Sequence, residues 1–149
     1  MELNEALQAG LVRTLSELCF HFGDPAETSA DRSSPYARVR LDGAWSGEFV
    51  IGIAPPLLQE FTENILGEES VSGEDCTNAL LEIANVVCGN VLPELASSDD
   101  EFHLASPTLC SAERFDRPGE APLAEAFMDE GAIMVRLFRD QAPTASEPS

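Results

Sequence analysis

Asn78-Ala79-Leu80-Leu81-Glu82-Ile83-Ala84-Asn85-Val86-Val87-Cys88-Gly89-Asn90 reads as the middle of one amphipathic helix, and the rest of the chain has to fold around it. Cys76, Ala79, Leu80, Ile83, Ala84, Val87, Cys88 and Val91 recur at the spacing that covers most of a helix with apolar side chains. What remains is a narrow polar stripe at 75, 78, 82, 85 and 89, namely Asp, Asn, Glu, Asn and Gly. Glu82 and Asn85 stand three apart, so an acid and a carboxamide share one face. An ordinary surface helix carries a broad Lys/Glu face instead. The spacing predicts a helix from about Glu74 to Leu92, stopped by Pro93, with Glu74 and Asp75 at the positive end of its dipole.

Outward from this helix the pattern changes several times. Leu3, Leu7, Leu11, Leu15, Leu18 and Phe22 predict a first amphipathic helix ending by Gly23, and Asp24 to Pro35 reads as a loop. Val39 and Leu41 alternate with Arg38, Arg40 and Asp42, and Phe49, Val50, Ile51 and Ile53 follow, which predicts a β-hairpin. Asp42-Gly43 and Ser46-Gly47 can both turn it, and sequence leaves the choice open. Pro55-Pro56 opens a helix that Gly67 can end. Beyond the striped helix, Ser97 to Glu101 reads as an acidic loop and Phe102 to Cys110 as a strand interrupted at Pro107, which places that proline at an edge or a bulge. Leu123–Met128 and Ala132–Phe138 flank Asp129-Glu130-Gly131, a hairpin signal. The order is helix, two strands, two helices, three strands. It predicts an α+β fold with long helices packed on a largely antiparallel β-sheet, a single domain over residues 1–138, and a polar, disordered tail over residues 139–149.

Composition narrows the chemistry. The formal charge is −19, from 27 acids against 8 bases, and every base is arginine. Without lysine the chain cannot form a Walker phosphate loop, a pyridoxal Schiff base or a lysine-dependent kinase site. No base lies between Arg40 and Arg114, so the helix carrying Glu82 and Asn85 sits in an acidic stretch. Nucleic acid and anionic membrane surfaces are excluded as partners by that charge, whereas a partner with a basic patch is favoured. The four cysteines at 19, 76, 88 and 110 form no CxxC pair, and His21 and His103 stand at no ligand spacing from them, so no metal site is expected. The acidic start Met1-Glu2-Leu3-Asn4-Glu5 and the absence of a long apolar run predict a cytoplasmic protein with reduced thiols.

An acid beside an amide has first to be weighed as a solvated helix face with local hydrogen bonds. A paired-carboxylate hydrolase fits poorly, because the stripe offers Glu82 with Asp75 two turns away. An amide cannot act as a base near neutral pH. It can orient an attacking water, which suits phosphoryl transfer, where positioning and electrostatics carry most of the catalysis. A cation is then missing. With no lysine and no metal cluster, a partner would have to bring the metal and the base.

Leu81 to Asn90 resembles the signature helix of the CheX/CheC chemotaxis phosphatases, whose pattern is an acid or Ser, three residues, Glu, two residues, Asn, and a proline roughly twenty-two residues on. Asn78 stands where the family more often has Asp or Ser, and Pro107 follows Asn85 after 21 intervening residues, one short of the interval. The resemblance extends to Arg38–Ile53, similar to the family's Gly-turned hairpin, and to the helix ending Ile65-Leu66-Gly67-Glu68. It implies removal of the phosphoryl group from the aspartate of a phosphorylated CheY-like response regulator. The regulator supplies its own Mg2+ and a lysine, so this chain needs no cofactor of its own. By position, Asn85 would align the hydrolytic water and Glu82 would pair with the regulator's lysine, with Asn78, Gly89 and Pro107 as further partner-binding positions. No second Glu-x-x-Asn occurs, which favours a single active face as in CheX, and CheX-like proteins pair into homodimers.

Two rivals remain at this stage. One is a non-catalytic adaptor that binds a response regulator or a flagellar-switch component, and the other a structural dimerisation domain. The retained Glu82 and Asn85 favour the phosphatase. Trp45 reads as a hairpin packing residue, His21 and His103 as structural, and Asp99-Asp100-Glu101 as a solvated loop.

Overall fold

A computed structural model describes residues 3–17, 36–43, 45–67, 71–95, 102–115, 123–128 and 131–140. Helix α1 (Leu3–Glu17) precedes the hairpin β1 (Tyr36–Gly43) and β2 (Gly47–Ile53); helices α2 (Pro55–Leu66) and α3 (Gly73–Leu95) follow. Then come β3 (Phe102–Leu104), β4 (Thr108–Cys110), the short α4 (Ala112–Phe115), β5 (Leu123–Met128) and β6 (Gly131–Arg139). Every described strand pair is antiparallel, in the order β3-β1-β2-β6-β5, with β4 also paired to β1. The fold is α+β, as expected.

Strand alternation assigns the two faces. Ala37, Val39 and Leu41 of β1, Phe49, Ile51 and Ile53 of β2, and Ile133, Val135 and Leu137 of β6 share the main core with Leu7 and Leu11 of α1, Leu57, Leu58 and Phe61 of α2, and the apolar side of α3. Full burial of such side chains contributes roughly 1.5–3 kcal/mol each. On the reverse face a smaller cluster joins Tyr36, Val50 and Phe138 to Ala112 and Phe115 of α4. The central strand β2 is therefore buried on both faces along its length. Its Glu48 lies on the reverse face, where Arg38 approaches at 3.2 Å and Arg114 holds both carboxylate oxygens.

Local chemistry explains the element ends. Pro55 and Pro56 occupy the first turn of α2, where no N–H is needed, and Gly67 closes it at φ 70° with its N–H donated to the Glu63 carbonyl at 2.8 Å. Ser72 caps α3 reciprocally: the Asp75 N–H donates to its Oγ at 3.0 Å, and its own N–H donates to Asp75 Oδ2 at 3.1 Å. In the first hairpin, Gly43 takes the positive φ of 152°. Gly47 is needed for a different reason, since a Cβ there would stand 2.4 Å from the Phe138 carbonyl oxygen.

Two expectations need correction, and one element was not foreseen. Pro93 does not stop α3, which runs on through Leu95. So close to the end it removes a single backbone bond, and packing of Leu92 against the core holds the turn beyond it. The short helix α4 had no clear periodicity to announce it. β6 continues through Arg139, and Asp140 follows in an ion pair with Arg40 at 2.6 Å, so order extends past residue 138. Leu18, Phe22, the loops over 24–35 and 97–101 and the tail over 141–149 lie outside the described residues.

Candidate functional site

Helix α3 is fixed by its apolar side. Leu80, Ile83, Ala84, Val87, Cys88 and Val91 are buried, and Gly10 of α1 lies so close that a Cβ there would stand 2.3 Å from Val91 Cγ2. Asn90 adds a polar tie, its amide donating to Thr14 Oγ1 at 2.9 Å, and that hydroxyl donates in turn to the Gly10 carbonyl at 2.8 Å. The opposite side of α3 is thereby presented outward on a rigid support. Asn78, Glu82 and Asn85 are exposed on it.

The second wall comes from the broken edge strand. Leu104 pairs with Leu41 and Thr108 with Arg38, so four steps along β3–β4 oppose three along β1. The extra residue is a β-bulge at Ala105-Ser106-Pro107, anchored by the Ala105 N–H on the Arg40 carbonyl at 2.9 Å. Pro107 falls within the bulge, between the paired segments, where a residue without an N–H is tolerated. The bulge turns these residues toward α3. Asn78, Leu81, Glu82 and Asn85 on one side and Leu104 to Pro107 on the other line an open groove of about 440 Å³.

Glu82 is the single ionisable side chain in the lining. Arg38 and Arg40 belong to the adjoining strand, yet their side chains are engaged by Glu48 and Asp140 respectively. Among the described residues, the side chains of Asn78, Glu82, Asn85 and Ser106 make no hydrogen bond or ion pair. Two other polar side chains of this helix are engaged. Asp75 is taken by the cap and Asn90 by Thr14.

Of the predicted site residues, the structure brings Asn78, Glu82, Asn85 and Pro107 together, although Pro107 is distant in sequence. Gly89 stays apart. It is exposed one turn beyond Asn85, and a Cβ there would meet nothing within 4 Å. Leu81, Leu104, Ala105 and Ser106 were not foreseen; the interruption at Pro107 was the available signal that a bulge would present its neighbours. Trp45 packs edge-on against Phe102 at 5.3 Å, with the Arg139 guanidinium 4.6 Å from its ring. His103 is exposed on β3, opposite Asp42. No group of three His, Cys, Asp or Glu among the described residues could hold a metal ion. Burial pushes the Cys88 thiol well above its ordinary range, and burial likewise raises Cys110. Neither thiol lines the groove.

Residues 35–124 match the family described as chemotaxis phosphatase CheX, a span that includes the hairpin, α2, α3 and the bulge. The chain belongs to the CheX family. A chain of the CheX–CheY–BeF3–Mg2+ complex from Borrelia burgdorferi superposes with a TM-score of 0.70 at 15% identity, covering 94% of this chain and 99% of that one. CheX from Vibrio vulnificus gives 0.73 at 20% identity, covering 94% and 97%. A weaker likeness, 0.51 at 10% identity over 91% and 89%, reaches the FliM middle domain from Vibrio alginolyticus. No curated protein matches the chain. The shared CheX fold thus extends beyond the matched segment to α1 and β6. No described helix is long and apolar enough to cross a membrane.

Proposed function

We propose that this protein hydrolyses the aspartyl phosphate of a CheY-like response regulator, with the groove between α3 and the bulge as its docking surface. The observation that carries this is the pair Glu82 and Asn85, exposed on a rigid helix beside Pro107 and without an intramolecular partner among the described residues. Asparagine is a poor helix former. A free amide on a well-supported helix suits insertion into another protein's site. Asn85 enters beside the acyl phosphate and holds water in line with the phosphorus. Water attacks, the P–O bond to the aspartate breaks, and the aspartate leaves as a carboxylate.

Charge complementarity supplies the rest. Glu82 pairs with the regulator's lysine and fixes the register of the two proteins, a role in which a desolvated charge pair gives specificity even where its net stabilisation is small. Mg2+ on the regulator neutralises the phosphoryl oxygens, and the complex with CheY, BeF3 and Mg2+ in the Borrelia relative supports that division of labour. Asn78, Gly89 and Pro107 extend the contact, and the protein acts in the cytoplasm as a homodimer.

Asn85→Ala should abolish stimulated dephosphorylation while leaving complex formation largely intact. Loss of label from a phosphorylated CheY-type receiver measures the first, and titration with a receiver loaded with Mg2+ and beryllofluoride measures the second. Normal turnover by the variant would sink the assignment. The rival reading is a non-catalytic adaptor on the same fold, which the FliM middle domain shares at low identity. It predicts binding without any acceleration by the unaltered protein.

A further inference from the structure

Ser106 is the groove residue for which neither folding nor the hydrolytic step accounts. It sits at the bulge, exposed, between Ala105, whose N–H is bound to β1, and Pro107, which has no N–H to give. A hydroxyl in such a loop commonly turns back onto nearby backbone. Here it meets no partner among the described residues and lines the groove from the wall opposite Asn78 and Asn85.

The chemistry of what it meets can be narrowed. Glu82 is the one charge in the groove, and it accounts for one cation on the partner. A second cation would find no anion in the lining, and an acidic segment would be repelled by a chain of net charge −19. What remains is an uncharged polar edge, whose backbone N–H and C=O groups or amide side chains a hydroxyl can serve as donor or acceptor. Bulges are a recognised means of aiming a side chain at a functional site.

We infer that Ser106 is a specificity-determining residue, hydrogen-bonding to an uncharged loop edge of the regulator beside its phosphorylated aspartate. This rests on the phosphatase reading above. Asn78, on the facing wall, grips the same edge from the other side. Along α3 it lies about 10 Å from Asn85, at about 1.5 Å per residue, too far for both amides to serve one phosphoryl group. Ser106 and Asn78 therefore act on binding, and Asn85 on the chemical step.

Steady-state turnover of phosphorylated CheY-type receivers, with titration by receivers carrying Mg2+ and beryllofluoride, separates these roles. Ser106→Ala should raise KM and Kd about two- to tenfold, the effect of one neutral hydrogen bond, with kcat unchanged. Ser106→Thr keeps the hydroxyl and should restore both values. An unchanged KM in Ser106→Ala, a fall confined to kcat, or a failure of threonine to restore binding would overturn the inference. If the unaltered protein binds loaded receivers without turnover, the phosphatase reading fails and Ser106 is judged on Kd alone, with the same outcomes. If it neither binds nor turns over any receiver, both fall together.

Discussion

At the scale of single residues, the polar side chains divide into those that folding uses and those it leaves free. Glu48 is the clearest of the first kind. It is 1% exposed, yet Arg114 donates a hydrogen bond to each of its carboxylate oxygens and Arg38 adds an ion pair at 3.2 Å, and the Glu48 carboxylate in turn raises the Arg114 guanidinium above its ordinary range. Glu48→Ala should destabilise the fold by about 2–4 kcal/mol, at the lower side of what breaking a buried pair costs because both arginines keep access to water. Urea unfolding of the variant measures this; a change within about 0.5 kcal/mol, the range of an ordinary surface substitution, would show the cluster to be incidental. Sequence alone could not find Glu48, because an acid in an apolar strand reads as a solvent-facing position until the strand is known to be covered on both sides. Glu82 and Asn85 were legible for the opposite reason. Their neighbours on the helix were so uniformly apolar that a polar pair could only lie on the free side.

At the scale of elements, a glycine packed against helix α3 and another on its open face make the same substitution act in opposite directions. Gly10 of α1 touches α3, and a methyl there would collide with the Val91 backbone at 2.7 Å as well as with its side chain. Gly10→Ala should therefore cost about 1–3 kcal/mol from overpacking, set against a gain of about 1 kcal/mol in helix propensity. Gly89 lies within α3 facing open space, so Gly89→Ala should stabilise by about 0.5–1 kcal/mol. If the stripe is the docking face, the added methyl should also weaken receiver binding. Thermal unfolding of both variants, with receiver titration of the second, tests the pair; equal signs in stability would contradict the packing described. The elements themselves were mostly readable, because alternation marked β1, an apolar run β2, the Asp129-Glu130-Gly131 turn signal β5 and β6, and Pro-first, Gly-last chemistry α2. The errors had physical causes. Pro93 was read by its intrinsic preference, whereas packing of the last turn decides α3's end. The helix α4 has only four residues, too few to show a period.

For the whole molecule, charge is distributed unevenly between the two sides of the sheet. Arg38, Arg40 and Arg114 are tied into ion pairs with Glu48 and Asp140, Arg136 stacks on Phe115 and Phe138 of the reverse-face cluster, and the groove presents Glu82 alone. Composition foretold the excess of acid, but its placement required the sheet register that pairs Arg40 with Glu48 and Arg38 with Val50 across β1 and β2. Two consequences of opposite sign follow. A net charge of −19 repels itself within the folded state more than in an expanded chain, and salt screens that repulsion. The buried pairs around Glu48 lose less to screening than exposed charges do. Raising NaCl from about 20 to about 300 mM should therefore raise the melting temperature by a few degrees, since about 1 kcal/mol corresponds to roughly 2–8 °C in domains of this size range. Association with a receiver should respond in reverse, because attraction between the acidic groove and a cationic partner is screened by the same ions, and its rate constant should fall over that range. Differential scanning calorimetry and stopped-flow association, on one preparation at matched salt, provide the two readings. A melting temperature that falls with salt would mean that exposed ion pairs outweigh self-repulsion in this chain. An association rate indifferent to salt would remove charge steering from the docking of Glu82 and leave shape and hydrogen bonding to select the partner.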